Sequence, residues 1–485
     1  MTKYFAIVYY VKVLSEKYKN KYKNISGYFT KKRAAVFFSA LLFLTGAFFI
    51  FFYAKTNTKE FAAKSLAVFE KVSRLLPIEP DTKKEIKVTN QLVEEFTKKD
   101  NQTKTFLILL QNNMELRPGG GFLGQYAILK IKNGEVISTF VEDANLLDQR
   151  IHAKIPAPYP FKRMMRIKKW KFRDSNFSPD FPTNAEKAEY FYGLARGKKD
   201  FDGVIAVNAD VLNHILELTG PIQIPGYSTT FTSRDASIKL EDIVEKRYLA
   251  NPELDSRNRK VILKKMASVI IEKLSSLKNI SRLAKFAQEE LRDKNIMLYF
   301  KDSNLQDLVQ SVHWDGSVAQ NWGKDYIMLV DANMGALKSD YYIRRSIDYE
   351  VDFTQEKPIA TIKYLYRHTA PYGNWRTSDY HSYLRLYVPK GSNLIERKMV
   401  SYPLIDEDFG KTYFGFIVHV LINRETEALI KYELPDYITP DNYQLLIQKQ
   451  SGINSIPVTI RLKTADGEIV QQGELKKDLK FEMKK

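Results

Sequence analysis

The chain of 485 residues has no cysteine and only six histidines. The absence of cysteine excludes disulfides, a thiolate nucleophile and cysteine-based zinc sites. The histidines do not form the H-E-x-x-H pattern of zinc peptidases, and the G-x-S-x-G sequence around the nucleophile of α/β-hydrolases is missing. The sequence therefore offers little support for the zinc peptidase and α/β-hydrolase classes.

The longest hydrophobic run, "AAVFFSALLFLTGAFFIFFYA", covers residues 34–54 and contains no charged residue. At about 1.5 Å per residue, a helix of this length crosses a hydrocarbon core of roughly 30 Å. Residues 1–33 carry nine Lys or Arg and the single acid Glu16. By the positive-inside rule, the sequence predicts a single-pass protein of the cell membrane, with a cytoplasmic basic tail and an extracytoplasmic bulk.

The chain after the predicted membrane helix keeps a moderate excess of positive charge, because the tail holds less than half of the formal net charge of +18. Nucleic acid is not an expected partner outside the membrane. Anionic lipid head groups, cell-wall polymers and lipid-linked phosphates fit this location and charge better.

The remaining sequence divides into three parts by its hydrophobic pattern. Residues 55–100 have helical spacing and predict a juxtamembrane segment that lifts the next domain off the bilayer. Residues 101–340 mix strands and helices, including a hairpin at Asn133-Gly134, and predict a mixed α/β layered domain. Residues 341–485 alternate in strand-length runs and predict a C-terminal antiparallel β-sandwich. The predicted fold class is thus α/β, with a single transmembrane helix before it and a β-sandwich after it.

The stretch "ELRPGGGFLGQY", residues 115–126, contains a literal G-x-G-x-x-G. A dinucleotide site needs a helix after the glycines, whereas a hairpin is predicted here, so no nucleotide cofactor is expected. A P-loop is excluded as well, because no Gly-Lys-Ser or Gly-Lys-Thr follows these glycines. Two interpretations stay open. The glycines form a tight connection between two strands, or Gly119, Gly120 and Gly121 form an anion-binding concavity with the guanidinium of Arg117.

Two further stretches contain residue types that suit a phosphate and a divalent cation. The first is "WKFRDSNFSPDFP", with Arg173, Asp174, Asn176 and Asp180. The second is "VEKRYLANPELDSRNRKVILKK", with Arg247, Arg257 and Arg259 near the start of a helix. Solvated loop charges and a basic helix face would explain the same residues without a ligand.

Several stretches together resemble the bacterial membrane-anchored family known as domain of unknown function 4012. They are "FLILLQNNMELRPGGGFLGQYAILKIKNGEV", "FRDSNFSPDFPTNAEKA", "FDGVIAVNADVLNHILELTGPIQIPG" and "DANMGALKSDYYIRRSIDYEV". The resemblance covers about residues 100–390 and implies a membrane-anchored protein, but that family has no established activity.

A second resemblance, to the LytR-CpsA-Psr domain, rests on "FDGVIAVNADVLNHILELTGPIQIPG" followed by "VEKRYLANPELDSRNRKVILKKM". It implies transfer of glycopolymers from polyprenyl-pyrophosphate carriers to the cell wall, with arginines on the pyrophosphate and acids on Mg²⁺. By motif position, Arg247 and Arg259 match pyrophosphate-holding arginines, and Arg117 and Asp143 match an earlier Arg and Asp. The chain departs from that pattern at Lys260, where the family has Gln.

Two functions follow as expectations. The first is a Mg²⁺-dependent phosphotransferase acting on a lipid-linked glycopolymer, with Asp143 and Asp174 as catalytic acids and Asp174 and Asp180 as metal ligands. Its substrate-binding residues would be Arg117, Gly119, Gly120, Gly121, Arg173, Asn176, Arg247, Arg257 and Arg259. The second is a non-enzymatic cell-envelope binding or scaffold protein that recognises an anionic polymer, a lipid or a protein, the last through the C-terminal sandwich.

Overall fold

The computed structural model describes residues 79–197, 200–246 and 280–483, with scattered positions between 262 and 273. The predicted cytoplasmic tail, the membrane helix at 34–54 and most of the juxtamembrane segment lie outside the described residues. Within those ranges, no helix combines the length and the hydrophobicity needed to cross a bilayer.

The N-terminal unit is built on a mixed five-stranded sheet. The five strands are β1 (Thr103–Asn112), β2 (Phe122–Lys132), β3 (Glu135–Asp143), β4 (Gly203–Asn208) and β7 (Ile296–Phe300). Two short strands, β5 (Ile222–Gln223) and β6 (Thr230–Phe231), form a separate hairpin. The order in the sheet is β3-β2-β1-β4-β7. Strands β1 and β4 are parallel, and the other pairs are antiparallel. The two parallel strands therefore end side by side at one edge of the sheet.

Helices cover both faces of this sheet. They are α1 (Pro80–Thr97), α2 (Ala144–Gln149), α3 (Tyr159–Met165), α4 (Phe181–Arg196), α5 (Asp210–Thr219), α6 (Ala236–Glu241), α7 (Ile280–Arg292) and α8 (Ser303–Gln310). Buried residues of α1, α7 and α8 share one hydrophobic core, and those of α2 and α4 share the core on the opposite face. This layered arrangement confirms the predicted mixture of strands and helices.

Local sequence signals explain the elements that were predicted correctly. The β2–β3 turn has Asn133 at φ 50° and Gly134 at φ 75°, which is the left-handed pair that an Asn-Gly hairpin turn requires. Helix α5 ends at Gly220, whose φ of 75° also lies in the region that favours glycine. The short extended segment after Gly220 is β5.

Helix α1 does not act as a spacer beneath the domain. Its residues Ile86, Val88 and Leu92 are buried in the same core as Phe106 of β1 and Leu129 of β2. The expected juxtamembrane segment therefore contributes its last part, from Pro80 onwards, to the α/β core, because its apolar stripe finds a sheet face to cover.

The C-terminal unit consists of two six-stranded sheets. The strands are β8 (Asp325–Asn333), β9 (Ile343–Asp352), β10 (Ile359–His368), β11 (Tyr380–Pro389), β12 (Asn393–Lys398), β13 (Leu404–Asp408), β14 (Lys411–Val420), β15 (Glu425–Glu433), β16 (Gln444–Ile447), β17 (Pro457–Thr464), β18 (Gly467–Glu474) and β19 (Leu479–Glu482). The orders are β12-β15-β10-β9-β17-β18 and β13-β14-β11-β8-β16-β19. Apolar residues of both sheets form one large core between them.

The sandwich differs from the sequence expectation in two respects. The pairs β8–β16 and β9–β17 are parallel, so the sheets are not purely antiparallel. Strand β8 is a central strand of its sheet although it precedes residue 341, where the β-rich domain was expected to begin. The nine residues of β8 are all buried, and a continuous buried run does not carry the alternating pattern that marked the later strands.

Candidate functional site

Arg117 lies in the interior, where the α/β unit meets the sandwich. Its guanidinium donates to the carboxylates of Glu115 (Nη2 to Oε1, 2.9 Å) and Asp174 (Nε to Oδ1, 3.1 Å). Nη1 donates to the carbonyl oxygens of Asn333 (2.9 Å) and Leu116 (3.2 Å). Burial lowers the pKa of Arg117, but the charges and hydrogen bonds of the two carboxylates outweigh burial, so its pKa lies above the ordinary value. With the side chain 1% exposed, its donors face the protein and not a ligand.

The three glycines allow backbone segments to approach closely. The N–H of Gly119 donates to the carbonyl of Asn176 (3.0 Å), and the N–H of Gly120 donates to that of Arg117 (2.9 Å). Gly120 has a φ of 129°, which favours glycine. A Cβ on Gly121 would lie 2.4 Å from the carbonyl carbon of Asn112. These contacts favour the tight connection over the anion-binding concavity.

A loop of the sandwich rests directly on these glycines. A Cβ on Gly452 would lie 1.8 Å from the carbonyl oxygen of Gly120, so only two glycines can meet here. Beside them, Nε2 of Gln450 donates to the carbonyl of Arg117 (3.1 Å). We call the contact formed by Arg117, Gly120, Gln450 and Gly452 the joint. The joint connects the two units through buried hydrogen bonds.

Asp174 and Asn176 also belong to this buried region. Besides its ion pair with Arg117, Asp174 accepts a hydrogen bond at its backbone carbonyl from the indole of Trp170 (2.7 Å). Nδ2 of Asn176 donates to Oε1 of Gln111 and to the carbonyl of Gly121, both at 2.6 Å. The structure thus brings Arg117, the glycines, Asp174 and Asn176 together, as internal partners of one another.

The other predicted residues have separate local contacts. Asp143 accepts from the N–H of Asn145 (2.8 Å) and caps α2, and Asp180 caps α4. Nε of Arg173 donates to Oδ2 of Asp148 (2.5 Å). The remaining three arginines, at positions 247, 257 and 259, lie outside the described residues.

The carboxylates proposed as metal ligands do not fit a Mg²⁺ site. Oδ2 of Asp180 accepts from Thr183, and Oδ1 accepts from the N–H of Val318 (3.0 Å). Asp174 faces a guanidinium. In the part of the chain that the structure describes, no group of three or more His, Asp or Glu is arranged to hold a metal ion.

The feature best suited to a ligand is an apolar pocket of about 350 Å³ next to the joint. Its apolar lining comes from β1, β2, β4, α5, α6 and the segments that follow α6. These residues are Leu110, Met114, Phe122, Val207, Ala209, Val211, Leu212, Ile215, Leu240, Val244, Met266 and Ile270. Its volume lies in the range of about 300–1,000 Å³ that is typical of small-molecule pockets.

Polar side chains occupy part of the pocket wall. Nδ2 of Asn112 donates to Oε1 of Glu241 (2.5 Å), and Nζ of Lys338 lies 3.6 Å from Oε2 of the same carboxylate. Gln125 and Asn145 contribute amides. A predominantly apolar wall with some polar groups is typical of small-molecule sites, and its apolar part can bury a hydrocarbon chain.

The position of the pocket follows from the topology of the sheet. Asn112 and Asn208 are the last residues of the parallel strands β1 and β4, and both line the pocket. In α/β sheets, ligands bind outside the carboxyl ends of parallel strands. Sequence reasoning concentrated on charged residues and missed this pocket, although the two apolar strand-length runs that end at Asn112 and Asn208 were a usable signal.

The start of α1 lies at the same end of the sheet. The carboxylate of Glu85 accepts from Gln288 and from Nε of Arg292, both at 2.7 Å. The carbonyl of Asn295, just after α7, accepts from the N–H of Asn208 at the end of β4 (2.9 Å). The first turns of α1 are therefore at the pocket end of the sheet.

The described part of the chain combines two units. One is an α/β unit with an apolar pocket at the ends of its parallel strands, and the other is a β-sandwich that the buried joint connects to it. Residues 101–244 match the family model described as "Protein of unknown function (DUF4012)", which confirms the first resemblance over that region. The resemblance to the LytR-CpsA-Psr domain stays a hypothesis.

Comparison with individual proteins adds little. A search of the curated proteins finds no match. Among solved structures, the X-ray structure of the Lin1025 protein from Listeria innocua is similar at 12% identity, covering 44% of this chain and 79% of that chain with a TM-score of 0.25. A similarity of this size carries no argument about fold or function.

Proposed function

We propose that this chain is a membrane-anchored, extracytoplasmic protein that binds a polyprenyl-linked glycopolymer by the lipid part of its carrier. The observation that carries the proposal is the apolar pocket at the carboxyl ends of β1 and β4. Burial of a hydrocarbon chain there is favourable by about 25 cal/mol per Å² of apolar surface.

The location of the pocket supports a lipid ligand. The chain that precedes α1 contains the predicted membrane helix, and α1 begins at the pocket end of the sheet. We propose that a ligand anchored in the same bilayer reaches the pocket from that end of the sheet. Arg257 and Arg259 stand in the sequence shortly before Met266, which lines the pocket, and they are the cations that we assign to the pyrophosphate.

Of the two functions expected from the sequence, the geometry favours binding of the glycopolymer over its enzymatic transfer. Asp174 is engaged by Arg117, and Asp143 caps a helix, so neither is arranged as a general base or a metal ligand. We therefore propose the non-enzymatic form, a binding or scaffold protein of the cell envelope. The sandwich is the surface that we assign to an envelope partner.

Binding of a fluorescent polyprenyl phosphate to the full chain in nanodiscs of uncharged lipid tests this proposal. Leu212→Gln places a polar group in the pocket wall, and Leu194→Gln is the matched control on α4, where Leu194 is 38% exposed. We expect saturable binding by the parent and the control, and an affinity about tenfold lower for Leu212→Gln, which corresponds to about 1.4 kcal/mol. Absence of saturable binding, or equal affinity in the two variants, would contradict the proposal.

A further inference from the structure

A segment between α2 and α4 is strongly basic. Residues 150–173 contain nine Lys or Arg and no Asp or Glu. The nine are Arg150, Lys154, Lys162, Arg163, Arg166, Lys168, Lys169, Lys171 and Arg173. We call residues 150–173 the basic loop. The stretch "WKFRDSNFSPDFP" weighed above covers only residues 170–173 of the loop, so most of its charge has no role in the proposed function.

The basic loop folds back on itself as an ordered unit. A bridge joins Pro156 to Lys169, and the N–H of Trp170 donates to the carbonyl of Ile155 (2.7 Å). The two paired segments are the arms of the loop, and α3 lies between them. Arg166 caps the end of α3 with a φ of 56°. Because the two arms pair, cations that are distant in the sequence belong to one closed loop.

Apolar side chains in the middle of the basic loop face the sandwich, while Ile151 and Phe172 at its ends are buried in the core of the α/β unit. Ala157 and Phe161 are buried in a cluster with Phe177 and with Ala332 and Tyr383 of the sandwich. Partly buried members of the loop pack against the same cluster, namely Met164, Met165, Ile167 and Trp170. The loop is therefore held in place by its apolar residues, which leaves its cations on the outside.

The cations divide into paired and unpaired groups. Arg150 pairs with Glu142, Arg173 pairs with Asp148, and the half-buried Lys171 donates to the carbonyl of Asp148. Six others are exposed, and no acidic side chain of the described ranges forms a salt bridge with them. These six are Lys154, Lys162, Arg163, Arg166, Lys168 and Lys169.

Six like charges on one short loop repel each other, and the repulsion is relieved by counterions or by an anionic partner. A bilayer surface is the less suitable partner. Interfacial membrane binding usually adds insertion of apolar side chains, and most of those in this loop are buried or partly buried against the two units. A flexible chain of phosphates can instead follow a compact patch of cations and release its own counterions.

We propose that the basic loop binds a phosphate-bearing polyanion. This inference deepens the proposed function and rests on it for the identity of the ligand, because it assigns an anionic, phosphate-bearing repeat to the glycopolymer. The lipid part would bind in the pocket and the polymer part on the basic loop. The two surfaces are separate, so each can be tested without the other.

Titration of long-chain inorganic polyphosphate into the full chain in nanodiscs of uncharged lipid, at several salt concentrations, tests the proposal. The loop variant combines Lys162→Gln, Arg163→Gln and Lys168→Gln. The control variant removes three exposed cations elsewhere through Lys98→Gln, Lys363→Gln and Lys477→Gln. The net charge changes equally in both, so a general charge effect would lower both affinities alike.

We expect the loop variant to bind polyphosphate at least tenfold more weakly than the control at 0.1 M salt. The slope of log affinity against log salt should become shallower by about 2, because each lost phosphate contact contributes about 0.7 to 0.9. Equal affinities in the two variants would overturn the proposal. Tighter binding to phosphatidylglycerol vesicles than to polyphosphate, lost in the loop variant, would also overturn it and assign the loop to the bilayer.

The same variants separate this inference from the proposed function. Leu212→Gln should keep polyphosphate binding, and the loop variant should keep polyprenyl phosphate binding. Failure of polyphosphate binding alone would leave the lipid pocket in place, and failure of lipid binding alone would leave the basic loop as a polyanion site.

Discussion

Replacement of Arg117 by methionine distinguishes a structural joint from a ligand site. The substitution keeps an unbranched side chain but removes the charge that faces Glu115 and Asp174, whose side chains are 9% and 8% exposed. Removal of one partner from a buried ion pair costs about 3–5 kcal/mol, because the remaining charge stays buried without compensation. We therefore expect Arg117→Met to lower the free energy of unfolding by about 3–5 kcal/mol.

Urea unfolding followed by tryptophan fluorescence measures this loss as a shift of the transition midpoint. Arg163→Met is the matched control, because Arg163 is exposed on α3 and its loss should change stability by no more than about 0.5 kcal/mol. Addition of Glu115→Gln and Asp174→Asn to Arg117→Met should restore part of the stability, since the uncompensated charges are then removed. If Arg117→Met unfolds like the control but no longer binds polyprenyl phosphate, Arg117 is a ligand residue and our account of the joint is wrong.

Two further predictions concern the glycines and the pH dependence. Gly121→Ala should destabilise the protein by about 1–3 kcal/mol or more, because its Cβ would meet backbone of Asn112. Gly124→Ala, where a Cβ meets nothing within 4 Å, should change stability by less than about 0.5 kcal/mol, and equal effects in a urea titration would argue against the close approach. Burial, together with the charge of Lys294, lowers the pKa of Lys449 to about 8. Neutral Lys449 makes its full contribution to the free energy of unfolding above the unfolded-state pKa of about 10.4. This contribution is lost as the pH falls through the folded-state pKa of about 8. Relative to Lys449→Met, the parent should therefore lose about 2 kcal/mol between pH 9.5 and pH 7, and parallel curves for the two proteins would refute the assignment.

The strands and turns of the α/β unit could be predicted because their signals are local. The apolar run before Asn112, the Asn133-Gly134 turn and the glycine that ends α5 each specify a conformation through neighbouring residues. The same reasoning found most strands of the sandwich from their alternation. It misplaced the start of the sandwich, because β8 is buried along its whole length and only its neighbours β11 and β16 identify it as a sandwich strand.

The candidate site was predictable in part. Arg117, the glycines, Asp174 and Asn176, which sequence reasoning assigned to one larger ligand site, lie next to one another in the structure. That reasoning did not reveal that they serve one another, because the carbonyl of Asn333 and the loop at Gly452 come from distant parts of the chain. It also missed the pocket, whose apolar residues resemble any other core residues in the sequence.

The sequence by itself determined the local elements, the resemblance to a family of unknown function and the unbalanced charge of residues 150–173. Only the tertiary structure decided what the conspicuous arginine and glycines do. An arginine beside glycines binds an anion when it faces solvent, and it holds an interior together when carboxylates and carbonyls enclose it. Burial decides between these two outcomes, and burial depends on contacts between residues that are far apart in the chain.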